Sequence, residues 1–205
     1  SDRPKIKYNM KTYQKQLSDF IDYLSLDKIT LFGVSMGGAL ASNYAANNPA
    51  KVKALILNVP FVGSQTIGLA NFTSIPVLWD FYLRFFIINK LVQRGDGLTE
   101  DKQDPQHFIK QFDVIGTQNT FSSLMKNFIK HDFYNDYQLI NDNKIPLHIT
   151  YATDDEDVPI DSILKAIELV PDAKTFSFNG GHNIINSRTK EIVSLINDFK
   201  ENLNN

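Results

Sequence analysis

The chain has 205 residues, 42% of them hydrophobic, with 21 basic and 23 acidic side chains and a net charge of −2. That is enough apolar mass for one full core with an excursion, and the charge leaves no basic footprint for nucleic acid. The absence of cysteine excludes disulfides and thiolate metal sites, and no apolar run is long enough to span a bilayer. The reading left open is a soluble domain, expected in the cytoplasm.

In chain order, Tyr13, Leu17, Phe20, Ile21 and Leu24 recur at helical spacing and predict an amphipathic helix. Lys28 to Val34 follows, β-branched and apolar on both faces, as expected of a strand buried in the middle of a sheet. Gly33-Val34-Ser35-Met36-Gly37 closes that strand, and Gly38 to Ala46 reads as a helix of small residues stopped by Asn47-Asn48-Pro49. A G-x-S-x-G run between a strand and a helix is the context of a nucleophile elbow. The serine there sits on a strained turn, its hydroxyl exposed and the helix amides beneath it. Both flanking glycines are expected because side chains would collide across the turn. No Lys-Ser or Lys-Thr follows, which excludes a phosphate loop, and the glycine spacing excludes a dinucleotide loop.

Val52 to Val59 predicts the next buried strand, closed by Pro60. A long insertion comes after it, rich in aromatic residues that include Phe72, Trp79, Phe81, Tyr82, Phe85, Phe86, Phe108, Phe112, Phe121, Phe128, Phe133, Tyr134 and Tyr137. Most are expected to fill the insertion's own core, with a few lining an apolar pocket. Within it, the stretch from Ile75 to Leu91 is broken by Asp80, Arg84 and Lys90, so it reads as a helix and not a membrane span.

The sheet resumes at Leu147 and runs into the acidic turn Asp154-Asp155-Glu156-Asp157. His148, inside that strand, is expected to be a hydrogen-bonded core histidine, while His107 and His131 are expected to be solvated. The acidic turn lacks the ligand rhythm of a calcium loop, so it reads as one functional carboxylate with solvated neighbours. Lys174 to Phe178 alternates as a strand and ends in Asn179-Gly180-Gly181-His182-Asn183, and Ile192, Ile196 and Phe199 stripe a closing helix.

Serine, aspartate and histidine in this order are a chemically coherent set. A serine hydroxyl is a poor nucleophile until an imidazole takes its proton, and a carboxylate must hold that imidazole in one tautomer. With G-x-S-M-G-G after a strand, D-x-x-V-P after a later strand and G-G-H after the last, the chain resembles the α/β-hydrolase superfamily, in its serine-nucleophile, cap-containing, esterase-like branch.

The resemblance implies an α/β fold with a mostly parallel sheet, the C-terminal four strands of the usual eight, and a helical cap. It divides the chain into an elbow part (1–60), a cap (61–143) and a C-terminal core part (144–205). It implies Ser35 as nucleophile, His182 as base and then acid, and the backbone N–H of Met36 as an oxyanion donor. The acid of the family stands four residues before the proline, which selects Asp155, with Asp154 as the fallback. Ala152 stands where relatives carry glycine.

The implied activity is hydrolysis of a carboxylic ester or related acyl compound through an acyl-enzyme, with a small-molecule substrate and neither cofactor nor metal. Thioesterase, peptidase and carbon–carbon bond hydrolase activities share the same residues, and a non-catalytic ligand-binding scaffold or an inactive truncated fragment of an enzyme is the alternative of another class. Serine at the elbow separates the chain from the dehalogenase and epoxide hydrolase branches, which use aspartate. Ser1-Asp2-Arg3-Pro4 resembles the loop after the family's fourth strand. The resemblance therefore places earlier strands, and a His-Gly loop with the second oxyanion amide, upstream of this sequence. The strand at 29–34 is expected to leave an apolar edge for an N-terminal fragment or a second chain to pair.

Overall fold

The computed structural model describes residues 3–63, 81, 110 and 114–203. Their elements, in chain order, are α1 (Met10–Tyr23), β1 (Ile29–Val34), α2 (Met36–Asn47), β2 (Val52–Asn58), α3 (Thr117–Asn127), α4 (Phe133–Asp142), β3 (Leu147–Ala152), α5 (Ile160–Glu168), β4 (Lys174–Phe178), α6 (Ile184–Ser187) and α7 (Thr189–Asn202). The chain forms two compact units, Ser1–Thr12 with Thr66–His131 and Tyr13–Gln65 with Asp132–Asn205.

The second unit holds a four-stranded parallel sheet in the order β1-β2-β3-β4. Alternation along the strands divides the apolar side chains between two faces. On one face Leu55, Leu57, Leu147 and Ile149 pack with Ala41, Tyr44 and Ala45 of α2, Tyr137 and Ile140 of α4 and Ile163 of α5. On the other, Ala54 and Ile56 pack with Phe199 of α7, and Ala152 with Ile192. The small residues of α2 let that helix lie close on the strands, and eight of its twelve residues are buried.

Parallel strands of this kind end together, so the loops leaving β1, β2, β3 and β4 gather at one end of the sheet, the usual location of sites in open α/β sheets.

β1, expected both to be a buried apolar run and to leave an apolar edge, lies at the margin of the described sheet, with Phe32 48% exposed. The expected helix forms as α1; within it Ile21 is buried in the core and Phe20 is exposed.

The segment 132–143, read from sequence as cap, forms α4 and packs on α2. Asp136 is buried there and accepts a hydrogen bond from Asn43 Nδ2 at 2.9 Å. The aromatic residues of α4 fill the core beside the sheet, which a composition count of the insertion could not separate from a cap core.

His148 is buried as expected, but neither ring nitrogen has a hydrogen-bond partner among the described residues. Its ring lies instead 5.3 Å from that of Phe176 and 5.4 Å from that of Phe199.

In the first unit, α3 follows Gly116, whose φ of 92° suits glycine. Ser123 Oγ in that helix accepts the Tyr8 amide N–H at 3.0 Å, and Phe128 is buried. The expectations for Phe72, Trp79, Tyr82, Phe85, Phe86, His107, Phe108, Phe112 and the helix from Ile75 to Leu91 lie outside the described residues. No helix among those described is long and apolar enough to cross a membrane.

Candidate active site

Ser35 occupies the single residue between β1 and α2, with φ 51° and ψ −120°. A non-glycine residue at positive φ costs on the order of 1–3 kcal/mol and persists only where its surroundings over-determine it. Here they do. The Ser35 N–H donates to the Asn58 carbonyl at 3.0 Å, and the Ser35 carbonyl accepts from Gly38, Ala39 and Phe61 at 2.9, 3.2 and 3.0 Å.

The glycines divide unequally. A Cβ on Gly33 would lie 2.6 Å from the Gly37 carbonyl oxygen, and one on Gly38 would lie 2.8 Å from Pro60 Cβ. A Cβ on Gly37 meets nothing within 4 Å among the described residues. Among the described residues the expectation that both glycines of G-x-S-x-G avoid collision is met at Gly33 and not at Gly37, and Gly38 is a second position that sterics require.

Asp155 sits in the turn after β3 and is buried. Its Oδ1 accepts the backbone N–H groups of Asp157 and Val158 at 2.8 and 2.9 Å. Its Oδ2 lies 2.7 Å from His182 Nδ1, and His182 Nε2 lies 2.8 Å from Ser35 Oγ. Burial pushes the Asp155 carboxyl upward. The hydrogen bonds from His182 and from the Val158 and Asp157 amides, together with the imidazole's charge, outweigh it and hold the group below the ordinary carboxylate value.

Three residues brought in from different parts of the chain thus form one hydrogen-bonded line. Ser35 and His182 are half-buried, so the line is open at the hydroxyl end. Such a line can carry a proton from a hydroxyl to an imidazole while a fixed carboxylate stabilises the cation formed.

Asp154, the fallback, is exposed, and its Oδ2 accepts from the Gly180 N–H at 3.1 Å and from the Thr153 hydroxyl at 3.2 Å. Met36 begins α2 directly after Ser35, where helix amides have no acceptor inside the helix. Asp155, Asp157 and His182 offer ligand-type atoms within 4.8 Å of one another. In the structure His182 Nδ1 and Asp155 Oδ2 already bond each other, which suits proton transfer better than a cation.

Sequence reading missed Asn58 and Phe61, which hold Ser35 from the exit of β2. The only trace was a polar residue ending the apolar run Ala54 to Leu57, which a buried strand would not place there without a partner. His131 is half-buried, and its own N–H donates to the Phe128 carbonyl at 3.1 Å.

The profile described as alpha/beta hydrolase fold matches residues 1–87. Over that part the chain is similar to the α/β-hydrolase superfamily. It is 23% identical over 202 residues to the 2-hydroxy-6-oxo-2,4-heptadienoate hydrolase of Pseudomonas putida, an alignment covering 95% of this chain and 71% of that protein. It is 26% identical over 182 residues to the 2-hydroxy-6-oxononadienedioate/2-hydroxy-6-oxononatrienedioate hydrolase 1 of Dechloromonas aromatica, covering 80% of this chain and 59% of that one. In fold it is similar to the bromoperoxidase from Bacillus anthracis, with a TM-score of 0.74 at 19% identity over 98% of this chain and 77% of that one.

Proposed function

We propose that this chain carries the reacting centre of a serine hydrolase, cleaving a carboxylic ester or related acyl compound through an acyl-enzyme on Ser35. One observation carries the reading: the continuous line from Ser35 Oγ through His182 to Asp155, at 2.8 and 2.7 Å.

Ser35 Oγ attacks the acyl carbon as its proton passes to His182 Nε2, and the electron pair of the C=O moves to oxygen. The Met36 N–H, at the positive end of α2, meets the oxyanion that forms. As the tetrahedral adduct collapses, the bond to the leaving group breaks and His182 returns the proton to it. Water then attacks the acyl-enzyme, giving its proton to His182, and the second collapse releases the acid and restores the Ser35 hydroxyl. Asp155 remains ionised throughout and keeps the Nδ1–H tautomer aimed away from Ser35.

A narrower reading within this chemistry takes the bond broken to be carbon–carbon, next to the keto group of a 2-hydroxy-6-oxo-dienoate. The names of the two curated relatives favour it. The departing carbon must then accept the proton that an ester oxygen would otherwise take.

The experiment is labelling with a fluorophosphonate, followed by peptide mapping, in parallel with turnover of an aryl acetate and of a 2-hydroxy-6-oxo-dienoate. The expected adduct is on Ser35, and Ser35→Ala abolishes both the label and turnover. A label elsewhere, or unchanged turnover in Ser35→Ala, defeats the reading. Preference for the dienoate over the aryl acetate selects the carbon–carbon form.

A further inference from the structure

The residue next to the buried carboxylate has a role of its own. Asp154 brackets Gly180 from both sides: its N–H donates to the Gly180 carbonyl at 3.0 Å, and its Oδ2 accepts the Gly180 N–H at 3.1 Å. One residue earlier, the Thr153 N–H donates to the Phe178 carbonyl at 3.0 Å, continuing the pairing of β3 with β4 past the ends of the strands. Gly180 has φ 137°, a conformation that other residues adopt only under strain, and it stands two residues before His182. The backbone of Asp154 also lies under Gly181, whose Cβ would be 3.8 Å from the Asp154 carbonyl oxygen.

The loop that carries His182 is therefore stitched to the loop that carries Asp155 by Asp154 itself. Asp154 is exposed and fills no core, so its side chain has no packing duty that would explain this placement.

We infer that Asp154 is a positioning residue, whose carboxylate, through Gly180, sets the imidazole of His182 in register with Asp155 and Ser35. This rests on the reading of Ser35, His182 and Asp155 as the reacting set. His182 must satisfy two partners at once, at 2.7 and 2.8 Å, and a ring displaced by part of an ångström loses one of them. The role belongs to the acceptor oxygen and its place, not to the charge. An amide oxygen in the same position should serve.

The test compares Asp154→Ala with Asp154→Asn in the whole protein. In Asp154→Ala, kcat for an aryl ester is expected to fall about tenfold with KM unchanged, and the downfield proton NMR signal of His182 Nδ1–H is expected to broaden or vanish. In Asp154→Asn the signal and kcat should stay close to those of the parent, and the acid limb of the pH profile should not move. A full signal and full kcat in Asp154→Ala overturns the inference. So does an Asn variant as impaired as the Ala variant, which would make the charge the operative feature. The NMR signal needs no turnover. If Ser35→Ala leaves hydrolysis intact the functional reading fails, while the signal still decides whether Asp154 orients His182.

Discussion

Gly33 approaches Gly37 so closely that a Cβ on the former would sit 2.6 Å from the carbonyl oxygen of the latter, a distance no side chain tolerates. Among the described residues nothing lies within 4 Å of a Cβ on Gly37, although the two glycines are equivalent in the G-x-S-x-G run. Gly33→Ala is expected to cost at least about 1–3 kcal/mol, because the atom in the way is backbone at the start of α2 and cannot swing aside. Gly37→Ala should be neutral or stabilising by up to about 1 kcal/mol, since alanine is the better helix former. Urea unfolding midpoints of the two variants check this, and equal loss in both would contradict the geometry.

Asp155→Asn should lower turnover by about 10⁴, since the amide cannot hold the Nδ1–H tautomer or stabilise the imidazolium. The Asp157 and Val158 amides that donate to Oδ1 would persist, so the fold should survive. Steady-state kinetics beside a thermal melt decides it, and loss of turnover accompanied by loss of folding would not support a role in the reaction.

Acid should weaken the fold in two stages. Burial between Phe176 and Phe199 holds His148 below its ordinary value of 6.5, so below that pH the unfolded chain takes up a proton that the folded protein refuses. Stability from His148 is complete above pH 6.5 and declines as the pH falls toward the depressed folded value. Asp155, also depressed, adds its loss only below its ordinary 3.8, where the unfolded chain binds the proton first. In His148→Phe the first stage should disappear, because a phenyl ring can join the same ring cluster without titrating. Unfolding midpoints measured between pH 7.5 and pH 5 test this, and an unchanged slope in the variant would remove His148 as the cause.

The Thr150 hydroxyl accepts from Asn58 Nδ2, and both side chains are buried. Thr150→Val keeps the shape and removes the acceptor, leaving a buried amide unpaired beside the carbonyl that receives the Ser35 N–H. A loss of about 1–3 kcal/mol is expected, read as a shift in the unfolding midpoint. A loss under a few tenths would mean that Asn58 finds another partner.

Much of this molecule was legible as local pattern. Strand period, a run of small residues and the glycines around Ser35 are short-range constraints, and they located β1, α2, β2 and β4 and the start of β3 within a residue or two. The spacing of Asp155 from Pro159 and the Gly-Gly before His182 pointed to their loops only through the resemblance to a known family.

What local pattern could not supply was pairing. Apolar residues on both faces of β1 look alike whether a strand is central or marginal, because its neighbours are set by topology. Tyr137 and Ile140 read as part of an aromatic insertion until α4 packs on α2. His148 was apolar in context yet polar in chemistry, and only the tertiary structure shows the rings of Phe176 and Phe199 packed beside it. Ser35, Asp155 and His182 are separated by 120 and 27 residues, and the 2.7 and 2.8 Å contacts among them arise because parallel strands deliver their exits to one end of one sheet.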